Sequence, residues 1–263
     1  MTVGLLALLA SRLPPDAVLE AVRGAHPGWL LLAAALGPVQ VLLASERWRL
    51  TSERVAQPLQ RWEAWREYAL STLLNQVLPG GVAGDAARVA RQRRAGWRAA
   101  LGAAIVERGT GQAVLAVVTT AGLLFWTERP SGSLVVAGVV LALFASTLLV
   151  YEVRRALAGA VARNLVLSVA LVGSFLLAFA LCGRALGRDF GVELFVAVPL
   201  ILLAMAIPLS VGGWGIREAS AAAILPAFGW TAEQAVALAA CYGISVLVGA
   251  LPGALVPVWR RRA

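Results

Sequence analysis

The sequence predicts an all-α fold: a polytopic helical membrane protein with two opposed re-entrant hairpins arranged as an inverted repeat. Three observations carry that prediction. Apolar runs long enough to cross a bilayer recur along the chain, arginines cluster unevenly between them, and two Pro-Gly breakers interrupt apolar stretches at matching places in the two halves.

The 263 residues are 60% hydrophobic, with a mean hydropathy of +0.79. Charged residues make up 14% of the chain, against roughly 25% in a soluble domain. About 18 or more apolar residues suffice to cross a hydrocarbon core of about 30 Å. Segments 29–46, 99–126, 134–151, 164–183 and 234–258 meet that length. In lipid every backbone donor and acceptor must be satisfied within the chain, so these segments are helices. The short alternating segments of a β-barrel are absent. Val3 to Leu13 is apolar too, but as a helix it covers only about 16 Å and reads as an abbreviated first helix. The chain reads as a single transmembrane domain, 1–263, with repeat halves at 29–126 and 164–258.

The arginines orient these spans. All basic side chains, 23 of them, are arginine. Loop 47–66 holds Arg47, Arg49, Arg54, Arg61 and Arg66, and loop 88–98 holds Arg88, Arg91, Arg93, Arg94 and Arg98. Further clusters are Arg154, Arg155 and Arg163, then Arg260, Arg261 and Arg262 at the C-terminus, whereas segments 12–28, 127–133 and 184–193 are sparse or balanced by acids. Arginine-rich connections face the cytoplasm, which places the chain in the cytoplasmic (inner) membrane with its C-terminus inside. The formal charge of +9 is thereby explained without nucleic acid, since the charges flank spans instead of forming a stripe.

This orientation leaves two apolar stretches that enter the membrane and return on the same side. One is 67–87, broken at Leu78-Pro79-Gly80-Gly81 with Gly84 following; the other is 194–230, broken at Pro208-Leu209-Ser210-Val211-Gly212-Gly213. Proline removes a backbone donor and glycine permits a tight reversal. The breakers align without a gap: Pro79, Val82, Gly84 and Arg88 precede Pro208, Val211, Gly213 and Arg217 by 129 positions each. Three intervening helices invert the second copy, and interrupted segments at matching positions of two halves mark the binding site of many transporters.

Charges lie beside both breakers. A charge at the centre of a membrane helix costs roughly 2.5–3.5 kcal/mol and usually faces a cavity or a partner. Asp85 and Arg88 stand three apart and can pair. Glu107 and Arg108, adjacent in helix 99–126, point about 100° apart and cannot face each other squarely; Arg108 shares a face with Gln112, extended by Gly111 and Thr119. Arg217 and Glu218 are adjacent, so each is expected to find its partner elsewhere. These six charged residues sum to zero, so one reading is a closed ion-pair network locking the two hairpins together. The other adds Gly80, Gly81, Gly84, Gly212 and Gly213, whose turns can present N–H groups to an anion. In that reading Arg88, Arg108 and Arg217 supply guanidinium forks for a phosphate, with Asn75 and Trp214 lining the site.

Other chemistry finds little footing. Cys182 and Cys241 are too far apart in sequence for a disulfide framework or zinc site, His26 stands alone, and no Walker loop or nucleophile elbow occurs. No secretory signal is evident either, since Met1-Thr2-Val3-Gly4 lacks the positive start of one. No cofactor and no enzymatic activity are expected, although Asp85, Glu107 and Glu218 leave a lipid-phosphate transferase or hydrolase open. Gly249 and Gly253 form a small-residue spacing that can pack helices, a weak pointer to a dimer.

With these segments in hand, the chain resembles the lysylphosphatidylglycerol synthase transmembrane-domain family, also called flippase-like. The resemblance rests on Leu78-Pro79-Gly80-Gly81-Val82-Ala83-Gly84-Asp85-Ala86-Ala87-Arg88 and on Glu107-Arg108. It rests further on Pro208 to Ala219 with its Gly212-Gly213-Trp214-Gly215-Ile216-Arg217-Glu218 core, on Gly229-Trp230-Thr231-Ala232-Glu233-Gln234-Ala235, and on Arg47-Trp48-Arg49. It runs from about residue 28 to 258. The resemblance implies a membrane protein that translocates or binds an anionic lipid, either an aminoacyl-phospholipid or a polyprenyl-phosphate-linked one. The alternative it implies is a non-transporting membrane partner that presents lipid to a separate synthase or glycosyltransferase. The soluble aminoacyl-transfer domain of full-length synthases has no counterpart here, so lipid aminoacylation by this chain alone is not expected. The first helix is also shorter than the family's.

Overall fold

A computed structural model of the chain describes residues 2–54, 58–78, 83–91, 96–125, 158–205 and 210–256, with the single positions 140 and 147. The expected span 134–151, the breaker residues 79–82 and 206–209, and the C-terminal arginines lie outside the described residues. No strand occurs among the described residues.

The first three helices are α1 (Thr2–Arg12), α2 (Pro15–Gly24) and α3 (Pro27–Arg54). Within the charge-balanced segment 12–28, residues 15–24 fold as α2, bent 99° from α1. Its start is well specified: Pro15 occupies the first turn, where no N–H is missed, and Asp16 faces the positive end of the helix dipole. α3 also outruns its predicted end. The arginines from 47 onward were assigned to a loop, yet the helix continues to Arg54. Arg49 bridges Glu46 and Glu53, three and four residues away, so the charges that suggested a loop instead stabilise further turns.

Next come α4 (Arg61–Val77), α5 (Ala83–Arg91) and α6 (Trp97–Phe125). α4 and α5 run antiparallel. Ser71 and Asn75 meet Asp85 and Gly84, Tyr68 meets Arg88, and Glu67 bonds Arg91 at 2.6 Å. The loop expected to begin at residue 88 therefore starts later, because Arg88 and Arg91 are anchored to α4 within the helix. Gly84 permits this approach, since a side chain there would overlap the Ser71 carbonyl.

The second half holds α7 (Ala158–Ala185), α8 (Glu193–Ala204), α9 (Ile216–Ile224), a 3-10 turn (Leu225–Phe228), α10 (Ala232–Ala250) and a closing 3-10 turn (Leu251–Leu255). α8 and α9 form the second hairpin: Met205 meets Gly213 near the turn, and Trp230 donates to Glu193 at the open end. α9 starts at Gly215, whose φ of 87° suits glycine, and Glu218 accepts the Gly215 N–H at 2.6 Å.

α3, α6, α7 and α10 are long and apolar enough to cross a membrane, and α1 with α2 would make a fifth span if counted together. α3 packs along α7 and α10, and α6 packs on α8. The principal core lies between α7, α8 and α10 and includes Phe179, Cys182, Val198, Ile201, Leu238 and Tyr242. Backbones approach closely through small residues, as is usual between membrane helices: Gly37 of α3 meets Gly249 of α10, and Gly253 meets the Ala69 carbonyl of α4. The spacing of Gly249 and Gly253 is thus used within the chain, which removes the sequence argument for a dimer. The result is an all-α polytopic membrane protein.

Candidate functional site

The second hairpin meets the first at the end of α4. A side chain at Gly212 would strike the backbone carbonyl of Gln76, so the second turn rests against the end of α4. Gly212 and Gly213, at φ 56° and 82°, make this contact in a backbone conformation that other residues rarely adopt. Around the contact lies a cavity of about 280 Å³. Gln40 and Ala44 of α3, Asn75 and Gln76 of α4, Asp85 of α5, Arg108 and Gln112 of α6, Gly212, Gly213 and Tyr242 all reach it. Its volume falls just below the roughly 300–1,000 Å³ of small-molecule pockets.

Beside the cavity, α4, α5 and α6 share an ion-pair network. Arg88 is buried, and its guanidinium lies 4.5 Å from both the Trp48 and the Tyr68 ring centroids. It donates to Glu107 at 3.0 Å and to Asp85 at 3.2 Å. Glu107, buried on α6, also accepts from the Tyr68 hydroxyl at 2.7 Å. Asp85 accepts from Ser71 at 3.0 Å and pairs through its second oxygen with Arg108. The divergence of Glu107 and Arg108 expected from adjacency is realised, because Glu107 takes Arg88 while Arg108 reaches Asp85. Arg108 remains 41% exposed and lines the cavity.

Arg47 joins this network, although the sequence placed it in a loop. It is 3% exposed, and one guanidinium nitrogen donates to the Glu107 carbonyl and to the Thr110 hydroxyl at 2.9 Å. Gly111 lies beside that guanidinium. Among the described residues no carboxylate lies within ion-pair distance of Arg47. Among the described residues, the three arginines Arg47, Arg88 and Arg108 stand with two carboxylates, Asp85 and Glu107, an excess of one positive charge. Tyr68, Trp48 and Ser71 were also absent from the sequence-based site. The signal for Arg47 was present in the helix-spaced Glu46, Arg49 and Glu53.

Arg217 forms a separate centre. Its partner was expected elsewhere in the chain, yet it is the neighbouring Glu218, at 2.7 and 3.0 Å. Two long, flexible side chains at the first turn of a helix can fold toward each other despite the 100° between their Cβ directions. Both are buried, and Arg217 also lies 4.5 Å from the Trp214 ring and 5.8 Å from Tyr242. Gly243 admits the guanidinium, which a methyl group there would overlap. No ion pair joins the two centres among the described residues. The single network expected to lock the hairpins together is therefore two networks, and the hairpins meet through Gln76 and Gly212 instead.

The remaining sequence candidates divide. Asn75 lines the cavity, and its side-chain oxygen accepts the Gly84 N–H at 2.8 Å. Gly84 is buried in the hairpin contact and does not line the cavity; Trp214 sits under Arg217. Gly80 and Gly81 lie outside the described residues. Thr119 is buried and bonded to the Leu115 carbonyl, so the polar stripe of α6 ends at Gln112 as far as the cavity is concerned. No cluster of His, Cys, Asp or Glu suited to a metal occurs among the described residues.

Comparison with curated proteins and with solved structures found no match. A family match does cover the chain, in two overlapping pieces, residues 1–163 and 151–253. The helices, the paired breakers and their charges are thus those of a member of the lysylphosphatidylglycerol synthase TM region family, to which this chain belongs.

Proposed function

We propose that the chain moves an anionic lipid between the leaflets of the cytoplasmic membrane, acting as a transporter and not as an enzyme. The lipid is an aminoacyl-phospholipid or a polyprenyl-phosphate-linked one, and its headgroup passes through the cavity between the hairpins. The hairpins in this reading are re-entrant, enter from opposite faces as an inverted repeat, and leave the C-terminus in the cytoplasm.

One observation carries the reading. Where the second turn meets the end of α4, Arg108 opens into a headgroup-sized cavity from a group of three arginines and two carboxylates. A phosphate arriving there takes over the guanidinium fork. Asp85, released from Arg108, keeps Arg88 and Ser71 on one carboxylate oxygen, while its second oxygen is left facing the cavity that Asp85 lines. Exchange of partners lets the charge enter while the Asp85 carboxylate keeps Arg88 as its charged partner; a buried carboxylate with no cation at all would cost several kcal/mol. Arg88, Glu107, Arg217 and Glu218 hold the hairpins in shape and do not touch the headgroup.

Proteoliposomes with headgroup-labelled phosphatidylglycerol and a membrane-impermeant quencher test this. Wild type is expected to expose inner-leaflet label faster than protein-free vesicles, and Arg108→Gln is expected to return the rate to that baseline. Equal rates with and without protein would reject transport and leave the chain as a membrane partner that presents lipid to a synthase or glycosyltransferase.

A further inference from the structure

Residues 229–235, Gly229-Trp230-Thr231-Ala232-Glu233-Gln234-Ala235, contribute nothing to the cavity between the hairpins. They build a different pocket. Gly229, at φ 76°, closes the 3-10 turn after α9, and Thr231 and Gln234 cap α10 through reciprocal bonds. The Gln234 side-chain oxygen also accepts from Arg188 at 2.8 Å, and the Arg188 guanidinium stacks 4.6 Å from the Trp230 ring. Facing it, Arg184 lies 5.6 Å from Trp29. The His26 N–H donates to the Ala185 carbonyl at 2.8 Å, and its ring Nδ1 accepts from Gly28, leaving Nε2 as the ring's remaining polar atom. These groups surround a cavity of about 510 Å³, kept open by Ala21, Gly24 and Ala237.

Its position in the fold is informative. α3 has 28 residues, about 42 Å of helix, close to the bilayer thickness of about 40–45 Å with headgroups included. Trp29 stands at one end of α3 and the Arg47–Arg54 segment at the other. The pocket therefore lies at the headgroup level remote from the arginine-rich end, the depth at which tryptophans anchor membrane proteins.

We infer that this pocket is a second lipid site: it takes the phosphodiester headgroup of an anionic phospholipid at that surface, its acyl chains staying in the surrounding bilayer. Arg188 is fixed by Gln234 and the Gly229 carbonyl and presents a positioned charge. Arg184 is free to exchange. Its partner Asp189 is 77% exposed and Arg184 itself 56%, a surface pair of little strength that a phosphate can replace. The ring Nε2 of His26 supplies a further donor beside the two guanidiniums. The site does not rest on the transport reading, because a lipid can be held here whether or not another crosses between the hairpins.

The test uses the full chain in phosphatidylcholine vesicles doped with a phosphatidylglycerol that carries a photoreactive group at its headgroup, followed by peptide mapping of the adducts. Wild type is expected to be labelled within 21–29, 184–190 and 229–237. The His26→Gln/Arg184→Gln protein, which keeps Arg188 and its structural bonds, is expected to lose at least about tenfold of that labelling. Labelling near Arg108 should stay unchanged, and Arg184→Lys alone should restore part of the loss. Equal labelling of wild type and double variant would overturn the proposal, as would equal labelling by a photoreactive phosphatidylcholine. Competition by inorganic phosphate as effective as by short-chain phosphatidylglycerol would assign the pocket to a free anion and also overturn it. Should the double variant unfold, Trp29→Leu, which keeps every charge, is expected to reduce labelling of the same peptides, and an unchanged yield counts against the site.

Discussion

The two hairpins carry the same arginine, 129 positions apart, in opposite settings. Arg88 shares its charge with Glu107 from α6 and Asp85 from its own helix, and through Asp85 the network reaches Arg108 and the cavity. Arg217 has one carboxylate, on the next residue, and is closed off by Trp214, Tyr242 and Gly243. Both guanidiniums are buried against aromatic rings. The first centre opens on the cavity through Arg108, whereas the second is sealed, although each keeps a guanidinium nitrogen without a hydrogen-bond partner. The difference teaches that a repeated motif need not repeat a role: the first hairpin brings charge to the cavity, and the second brings the glycine backbone of its turn.

Removing each arginine probes this contrast most strongly. Arg217→Met leaves Glu218 buried with only the Gly215 N–H, and is expected to cost about 3–5 kcal/mol. Arg88→Met should cost less, about 2–3 kcal/mol, because Tyr68 still serves Glu107 while Arg108 and Ser71 still serve Asp85. Equilibrium unfolding in mixed micelles would order the two; a larger loss for Arg88→Met would break the comparison.

A methyl group at each close approach gives a smaller effect. Gly84→Ala meets a backbone carbonyl and Gly243→Ala the Arg217 guanidinium, so each should lose about 1–3 kcal/mol. If the second centre is sealed as described, combining Gly243→Ala with Arg217→Met recovers part of the Gly243→Ala loss, whereas Gly84→Ala with Arg217→Met is additive within about 0.5 kcal/mol. Arg108→Gln should be the mildest for stability, under about 1 kcal/mol, since its pair is partly exposed, yet it should remove lipid movement. Thermal unfolding measured alongside the proteoliposome assay would show that separation.

Much of the fold was legible because membrane spans announce themselves by length. α3, α6, α7 and α10 fall where the apolar runs placed them. Their ends were harder to read: Arg47, Arg49, Arg88 and Arg91, expected in loops, lie inside helices, Arg49 held by Glu46 and Glu53, Arg88 by Glu107, Arg91 by Glu67 and Arg47 by the Glu107 carbonyl. Charge marks the membrane boundary, whereas helix ends depend on capping and local pairing, and the two need not coincide. α2 was missed because its ten residues make only a short amphipathic pattern. The site was legible in its residues and less so in its wiring. Spacing showed that Asp85 could pair with Arg88, but rotamers decide whether Arg217 reaches Glu218, and only tertiary packing brings Arg47 from α3 beside Glu107.

The central claim is that Arg108 is the headgroup's partner and that Asp85 competes with the lipid for it. Titration of short-chain phosphatidylglycerol into the detergent-solubilised chain, in a His26→Gln/Arg184→Gln background that removes the interfacial pocket, tests this directly. Asp85→Asn should tighten binding several-fold by freeing the guanidinium, while Arg108→Gln should weaken it at least about tenfold. Two substitutions at one ion pair would then act with opposite sign. Loss of affinity from both, or no change from either, would contradict the account.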